Sequence, residues 1–367
     1  MKQKTVMLYL NSLHRGGAER VFVQLAERFA ANGWRAILVT SYTPPDHVEY
    51  PVSERVVRCN MEPELILQSR LRRNTSRIAK LRRLLREYRP DILVTCMQEP
   101  NFRGMVASFG LPVKRLVSVC NASEKEYPGK LGLLVGKVLM PMAEGCVFQT
   151  EQERAWFPKR LQKKSRIIMN QVTPGFFDIH YDGPRHGIVT VGRLNEQKNQ
   201  ALLIRAFARI ADKVEDDLLL YGDGELRGEL QALIDALKLG GRVRLMGVST
   251  DVANAIKGAK LFALSSDYEG VPNAVMEAMA LGLPCVCTDC LGGGPAMLLD
   301  GGRAGVLVPM RDEQALAEAM LRLLQDPAEA ARLGAAARER AAAFRPDAVF
   351  AQWEDYVRSI IGKDTSA

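Results

Sequence analysis

Two glutamates, Glu269 and Glu277, are the residues of this sequence whose spacing most suggests chemistry. Glu277 is the one charge in the apolar run 274–280, which predicts a helix ended by Gly282 and Pro284. An unpaired carboxylate buried in such a helix is costly, so we expect Glu277 to meet a polar ligand or a cation. Glu269 lies just before the helix. The two carboxylates therefore suit hydroxyl groups, and the N–H groups of the helix start suit a phosphate.

Two cations occupy a second loop of chemical interest. Arg193 and Lys198 follow the predicted strand Gly187–Val191 and precede a predicted helix. Arginine offers a planar fork of donors and lysine a compact charge, so together they suit one anion such as a diphosphate. The alternative is two solvated surface charges, but their place after a strand favours a binding role.

Glycines mark two further turns between a strand and a helix. Gly16 and Gly17 follow the apolar run Val6–Leu10, and Gly222 follows Leu218–Tyr221. A glycine lets the backbone approach a ligand closely, and a helix start attracts a phosphate. Each turn by itself is equally consistent with a plain tight turn. The glycines therefore indicate a binding site only in combination with the other motifs.

Short apolar runs alternate with longer helical patterns along the whole chain, which predicts an α/β fold with two doubly wound parallel sheets. The first half contains the predicted strands Val6–Leu10, Ala36–Thr40, Asp91–Cys96, Arg115–Val119 and Cys146–Gln149. The second half contains Gly187–Val191, Leu218–Tyr221, Val243–Met246, Leu261–Leu264, Pro284–Thr288 and Gly305–Val308. Ligands of such sheets bind at the carboxyl ends of the strands, so two facing domains would bind them in the cleft between.

The length of 367 residues fits two domains. We expect a first domain at 1–180, a second at 181–345 and a C-terminal helix within 346–367, with the linker in the Pro- and Gly-rich stretch 170–187. The apolar residues of the last helix recur at helical spacing. That helix either crosses back to the first domain or covers the second.

Composition excludes a disordered or fibrous chain, since 47% of the residues are hydrophobic and 25% are charged. No apolar run approaches the ~20 residues of a membrane span, so a cytoplasmic protein is expected. The seven cysteines lack the paired spacing of a zinc site, and we expect them to be free thiols, mostly buried.

Charge is divided unevenly between the halves. Residues 1–180 carry 29 Lys and Arg against 16 Asp and Glu, whereas residues 181–367 carry 21 against 26. Much of the excess lies in the segment 65–89, a predicted basic amphipathic helix that suits an anionic membrane or a lipid diphosphate. Its cations are Arg70, Arg72, Arg73, Arg77, Lys80, Arg82, Arg83, Arg86 and Arg89. A solvated face over a core is the alternative, and nucleic acid is disfavoured because no aromatic residues are interleaved for stacking.

Taken in order, these motifs resemble the retaining glycosyltransferases of family 4, which have the GT-B fold of two Rossmann-like domains facing across a cleft. The resemblance rests on Gly16-Gly17, Gly192-Arg193 with Lys198, Gly222-Asp223-Gly224, and Glu269 and Glu277 with Gly270, Pro272 and Asn273 between them. The start Gly-Gly-Ala-Glu-Arg and the turn Gly-Asp-Gly-Glu-Leu-Arg resemble those of bacterial enzymes that extend lipid-linked oligosaccharides.

The resemblance implies a role for each matching residue. Glu269, Arg193 and Lys198 would be catalytic: Glu269 would contact the donor sugar, and the two cations would bind the diphosphate and stabilise it as it leaves. Glu277 would hold the ribose hydroxyls. Many members have a His after the strand Arg115–Val119, whereas this chain has Cys120 and Asn121 there. The remaining substrate-binding positions would be Gly16, Gly17, Gly192, Gly222, Gly270, Pro272, Asn273, Ala274 and Val275.

The resemblance also implies the substrates. The donor would be a UDP-sugar carrying a hexose or an N-acetylhexosamine, and the acceptor a polyprenyl-diphosphate-linked glycan. The protein would be peripheral on the cytoplasmic face of the inner membrane. No metal and no other cofactor is expected, since no suitable loop holds a DxD pair. Two alternatives are an enzyme of this fold that hydrolyses or isomerises the nucleotide-sugar, and a non-catalytic protein that binds sugar nucleotides or nucleic acid.

Overall fold

A computed structural model describes residues 3–14, 16–43, 48–62 and 69–362, with the backbone alone at Arg70. The chain forms two compact units, one made of residues 1–169 and 349–367 and the other of residues 170–348. The boundary therefore precedes the one expected after residue 180. The reason is that the backbone N–H of Val172 donates to the carbonyl oxygen of Phe344, 3.0 Å away, which holds this stretch in the second unit.

The first unit contains a seven-stranded parallel sheet in the order β3-β2-β1-β4-β5-β6-β7. Its strands are β1 Thr5–Leu10, β2 Arg35–Thr40, β3 Val57–Asn60, β4 Ile92–Cys96, β5 Lys114–Ser118, β6 Gly145–Phe148 and β7 Ser165–Ile167. The central strand β1 is wholly buried, because its six apolar and small residues are covered on both faces. The edge strands β3 and β7 are only half-buried, and neither was predicted from the sequence.

Helices connect these strands. They are α1 Gly17–Ala31, α2 Arg70–Tyr88, α3 Gln98–Ser108, α4 Ser123–Glu126, α5 Gly129–Leu134, α6 Glu151–Trp156 and α7 Lys159–Gln162, with a π-helical turn at Val135–Leu139 after α5. Helix α1 buries Phe22, Leu25 and Phe29, which recur every three or four residues and so form one apolar face. That face packs on the sheet and fixes the loop that precedes it.

The second unit contains a six-stranded parallel sheet in the order β10-β9-β8-β11-β12-β13. Its strands are β8 Ile188–Val191, β9 Leu218–Tyr221, β10 Val243–Gly247, β11 Leu261–Leu264, β12 Cys285–Asp289 and β13 Val306–Pro309. Its helices are α8 Gln200–Ala208, α9 Arg227–Ala236, α10 Val252–Ile256, α11 Asn273–Ala280, α12 Gly294–Leu298, α13 Glu313–Gln325 and α14 Pro327–Ala341. The last helix, α15 Pro346–Ile361, belongs to the first unit from Val349 onward.

Helix α15 leaves the second unit and packs on the first. Phe350, Trp353 and Tyr356 are buried in the same core as β1 and α1, and the rings of Phe29 and Phe350 meet edge to face with centroids 5.1 Å apart. The Tyr356 hydroxyl accepts a hydrogen bond of 3.1 Å from the backbone N–H of Cys146. The spacing of its apolar residues allowed the last helix either to cross back to the first domain or to cover the second. In the structure, α15 crosses back to the first.

Helix α2 begins at Arg70, and residues 65–68 of the predicted basic segment 65–89 lie outside the described residues. Several of its cations bind the protein rather than point outward, so not all of the predicted basic segment is available to a membrane or a lipid diphosphate. Arg77 is 4% exposed and its Nη2 lies 2.6 Å from a carboxylate oxygen of Glu62. Arg82 donates to the backbone carbonyls of Ala107 and Phe109 at the end of α3, and Lys80 donates to that of Met61. The exposed cations of the helix end are Arg83, Arg86 and Arg89.

One expectation about the cysteines is wrong. Cys96 and Cys120 form a disulfide with their Cα atoms 6.9 Å apart, whereas free thiols were expected. Cys96 ends β4 and pairs in register with Ser118 of the neighbouring strand β5, so Cys120 lies close to it although 24 residues separate the two. Among the described residues, no helix combines the length and apolar character needed to cross a membrane.

Candidate functional site

The predicted site residues of the second unit lie in the loops after β8, β9 and β11 and in helix α11, at the carboxyl edge of the sheet. The strand order changes direction between β8 and β11, which is where open parallel sheets bind their ligands. Lys198 and Glu269 follow these two strands. The ammonium nitrogen of Lys198 lies 2.5 Å from Oε1 of Glu269. The structure therefore brings together a residue predicted to bind the diphosphate, Lys198, and a residue predicted to contact the donor sugar, Glu269.

The carboxylate of Glu269 is firmly held. Glu269 is 6% exposed, and besides Lys198 its Oε1 accepts a hydrogen bond of 2.7 Å from the Ser266 hydroxyl. The side-chain amide of Gln197 donates to its Oε2 over 3.4 Å. A buried carboxylate with these partners stays in one orientation, so it can accept hydrogen bonds from hydroxyl groups in a defined direction.

Arg193 is exposed in the loop after β8. Its carbonyl oxygen accepts a hydrogen bond of 2.8 Å from the side chain of Gln200, the first residue of α8, which holds the loop on the helix. Burial and then the charge of Glu269 raise the pKa of the Tyr268 hydroxyl, while the charge of Arg193 opposes the shift. Arg193 is thus close enough to act electrostatically on the loop of Glu269.

The glycines after β8 and β9 are in direct contact. Gly222 has a φ of +135°, and a Cβ atom at this position would lie 1.9 Å from the carbonyl oxygen of Gly192. Gly192 donates its N–H to the carbonyl oxygen of Tyr221 over 2.9 Å. Only glycine fits at position 222 because both the backbone angle and the space exclude a side chain. The loop of Arg193 and Lys198 is therefore built on a close contact between two predicted site residues.

Helix α11 carries the rest of the predicted donor motif. Pro272 caps its N-terminus, and Val275 is fully buried with its N–H donating to the carbonyl oxygen of Pro272 over 3.1 Å. Asn273 and Ala274, in the first turn, are partly exposed. Before the helix, the carbonyl oxygen of Gly270 faces Gly294, where a Cβ atom would lie 1.5 Å from that oxygen. The predicted role of this backbone in binding sugar and phosphate stays a prediction.

Glu277 lies on α11 and is 5% exposed. The hydroxyl of Thr173 donates to its Oε1 over 3.4 Å. One turn earlier on the helix, Oδ1 of Asn273 accepts a hydrogen bond of 3.0 Å from the side-chain amide of Asn170. Sequence reasoning found Glu277 from its place in an apolar helix, but it missed Thr173 and Asn170, which lie in the stretch expected to be only a linker.

Four predicted residues belong to the first unit. Gly16 is the N-cap of α1 and Gly17 its first residue, at the carboxyl end of β1. Cys120 and Asn121 follow β5, and the backbone N–H of Cys120 donates to Oε2 of Glu126 over 3.0 Å. Since Cys120 is in the disulfide with Cys96, it offers no free thiol to a substrate.

The thiols near the second-unit site are protonated at neutral pH. Burial and then the charge of Glu269 raise the pKa of the Cys290 thiol to about 12. Burial likewise raises the pKa of Cys287. Because the thiolate is the nucleophilic form of cysteine, neither residue is activated for covalent catalysis. In the described part of the chain, no group of three or more His, Cys, Asp or Glu side chains is arranged to hold a metal ion.

Comparison with known families agrees with this geometry. The family described as "Glycosyltransferase Family 4" matches residues 15–174, and the one described as "Glycosyl transferases group 1" matches residues 185–326. The chain belongs to the family 4 glycosyltransferases. The two matches divide the chain close to the boundary between its two units.

Relatives of this chain include an uncharacterized glycosyltransferase of Methanocaldococcus jannaschii, 29% identical over 58% of this chain and 59% of that protein. This chain thus spans less than two thirds of that relative. A second relative is a Campylobacter jejuni enzyme named N-acetylgalactosamine-N,N'-diacetylbacillosaminyl-diphospho-undecaprenol 4-alpha-N-acetylgalactosaminyltransferase. It is 26% identical over 87% of this chain and 90% of its own length.

Solved structures of similar fold are GT-B enzymes. Sucrose-phosphate synthase of Thermosynechococcus elongatus superposes with a TM-score of 0.83 and 23% identity, covering 99% of this chain and 100% of its own. Anabaena HepE, solved in complex with UDP, gives a TM-score of 0.80 and 20% identity over 97% of this chain and 100% of its own. The chain therefore has the GT-B fold of two parallel-sheet α/β domains.

Proposed function

We propose that this protein transfers a hexose or an N-acetylhexosamine from a UDP-sugar to a polyprenyl-diphosphate-linked glycan, with retention of anomeric configuration. The contact between Lys198 and Glu269 carries the proposal. It sets a cation suited to the leaving diphosphate beside a carboxylate suited to sugar hydroxyls. The bond that a glycosyltransferase breaks lies between those two parts of its donor.

The names of two similar proteins support the choice of substrates. The Campylobacter jejuni relative is named for an acceptor linked to undecaprenol through a diphosphate. Anabaena HepE binds UDP and shares the fold. For this chain, the acceptor and the uridine nucleotide are both part of the proposal.

The proposed mechanism is electrostatic. Negative charge grows on the departing diphosphate, where Arg193 and Lys198 stabilise it, while Glu277 holds the ribose and Glu269 holds the sugar. The acceptor hydroxyl attacks the anomeric carbon from the side on which the diphosphate leaves. The C–O bond to the acceptor forms, the C–O bond to phosphate breaks, and the hydroxyl proton passes to the leaving phosphate oxygen. We assign no step to a metal ion, so a chelator is expected to leave the rate unchanged.

We place the reaction at the cytoplasmic face of the inner membrane. The first unit exposes a row of apolar side chains on α5 and the following turns, which we call the apolar ridge: Leu131, Leu133, Leu134, Val138 and Met142. Helix α3 packs against both the π-helical turn of this ridge and the basic helix α2. Exposed apolar side chains near exposed cations suit the interface of an anionic bilayer.

The experiment is to measure UDP release from a panel of UDP- and GDP-sugars, with and without lipid-linked acceptors. We expect release only with a UDP-sugar and an acceptor together, a product of retained configuration by NMR, and no turnover by Glu277→Ala. Release at the same rate without acceptor would instead identify a hydrolase. Normal turnover by the variant would refute the role given to Glu277.

A further inference from the structure

The segment 170–173, with which the second unit begins, lies along one face of α11. Asn170 and Thr173 are three residues apart, and their partners Asn273 and Glu277 are four apart, which puts those partners on the same face of the helix. Two side-chain hydrogen bonds of 3.0 and 3.4 Å therefore connect the segment to the donor motif.

The segment is itself held in place. Val172 is 1% exposed and its N–H is bonded to the carbonyl oxygen of Phe344. Asn170 is 7% exposed. Because its neighbours Asn170 and Val172 are held in this way, the backbone at Thr173 has a defined position. The Thr173 hydroxyl therefore approaches Glu277 from a fixed direction.

A hydroxyl in this position affects which oxygen sites of Glu277 a ligand uses. A carboxylate has about four lone-pair directions, and Thr173 takes one of them on Oε1. With Glu277 buried, Thr173 is one of the groups that fix the orientation of its carboxylate, and the vicinal hydroxyls of a ribose must match the oxygen positions that the protein leaves open.

We propose that Thr173 is a positioning residue for the ribose of the donor, acting by orienting the carboxylate of Glu277. This inference rests on the proposed function, in which Glu277 binds the ribose hydroxyls. It assigns a specificity role to a residue of the stretch that was expected to be only a linker. Thr173 favours a nucleoside diphosphate with ribose hydroxyls over one that lacks them.

The test compares Thr173→Val, which removes the hydroxyl at nearly constant shape, with Thr173→Ser, which keeps it. The affinities for UDP and for 2′,3′-dideoxy-UDP are measured by calorimetry on the full chain. We expect Thr173→Val to weaken UDP binding by about five- to tenfold, the value of one ordinary hydrogen bond, because the contact with Glu277 is long at 3.4 Å. Thr173→Ser should bind UDP like the wild type, and binding of the dideoxy nucleotide should be unchanged in both variants.

Two results would overturn the positioning role alone. The first is unchanged UDP binding by Thr173→Val while Glu277→Ala binds UDP weakly. The second is equal weakening of UDP and dideoxy-UDP binding in Thr173→Val, which marks a general structural loss. A wild-type protein that binds UDP and its dideoxy analogue equally, with no effect of Glu277→Ala, would overturn the proposed function as well. The pattern across the variants thus separates the two failures.

Discussion

The Lys198 ammonium lies 2.5 Å from Oε1 of Glu269, and both side chains are largely buried. The two residues are 71 positions apart in the chain and come from the loops after β8 and β11. Breaking a buried pair leaves one uncompensated charge, which costs more than the pair contributes. The pair therefore holds the two loops together, besides any role in catalysis.

The first prediction concerns this structural role. Lys198→Ala should lower the free energy of unfolding by about 3 kcal/mol, because it leaves the carboxylate of Glu269 buried without its cation. Glu269→Gln in the same chain should recover most of that loss, since a neutral amide needs no cation. Urea denaturation of the wild type, both single variants and the double variant gives the coupling energy.

Additive effects of the two substitutions would contradict the prediction. Lys213→Ala is a suitable control, because Lys213 is an exposed lysine of the same unit. It should leave the free energy of unfolding almost unchanged. Activity is expected to be lost in both Lys198→Ala and the double variant, so stability and catalysis are distinguished by the same set of proteins.

The sequence predicts most of the fold because apolar runs mark buried strands. β11, with the sequence Leu-Phe-Ala-Leu, is buried at every residue, and all six strands of the second sheet were predicted. β3 and β7 were missed because they are edge strands of three or four half-buried residues. Their sequences lack an apolar run, and they are strands only because a neighbouring strand pairs with them.

The site was predictable in its residues but not in their partners. Apolar context identifies Glu277 as a buried charge, yet nothing local indicates that Thr173 bonds to it. Helical periodicity likewise finds the apolar stripe of α2, but it does not show that Arg77 reaches Glu62. Partners of this kind come from other loops, so tertiary structure decides them.

The second prediction concerns the apolar ridge. Leu133 and Val138 are 50% and 53% exposed, and Leu133→Asp with Val138→Asp should reduce binding to phosphatidylglycerol-containing vesicles by about tenfold or more, because charged side chains no longer enter the interface. Vesicle sedimentation measures the change. Leu237→Asp, at an exposed leucine after α9, is the matched control and should bind like the wild type. Equal binding by all three proteins would exclude the ridge as the membrane contact.

The third prediction concerns the tail helix α15. The Tyr356 hydroxyl bonds to the N–H of Cys146 and the carbonyl oxygen of Lys164, so Tyr356→Phe keeps the ring but removes both contacts. We expect the free energy of unfolding to fall by about 1–2 kcal/mol. Tyr181→Phe is the control, because the Tyr181 hydroxyl bonds at the surface, where water replaces its partner. A loss in Tyr181→Phe as large as in Tyr356→Phe would show that burial of the hydroxyl is not the cause.

The last prediction rests on the carboxyl of Glu126, beside the loop of Cys120. Its Oε2 accepts the N–H of Cys120, whereas its Oε1 is buried without a hydrogen-bond partner among the described residues. Burial raises the pKa of this carboxyl to about 7, against hydrogen bonds that lower it. Burial also raises the pKa of the nearby Glu153, and the charge of Glu126 adds to that shift.

A carboxyl with a raised pKa keeps its proton in the folded protein at a pH where the unfolded chain has lost it. The folded state then binds more protons, so the free energy of unfolding falls as pH rises from about 4.5 to about 7 and levels off above. Glu126→Gln removes this contribution. Urea denaturation should show the variant equal to the wild type at pH 4 and more stable by about 3 kcal/mol at pH 8. Without the charge of Glu126, the pKa of Glu153 is raised less in the variant, which adds to the difference between the two proteins at higher pH. A constant difference across the range would mean that Glu126 does not titrate there.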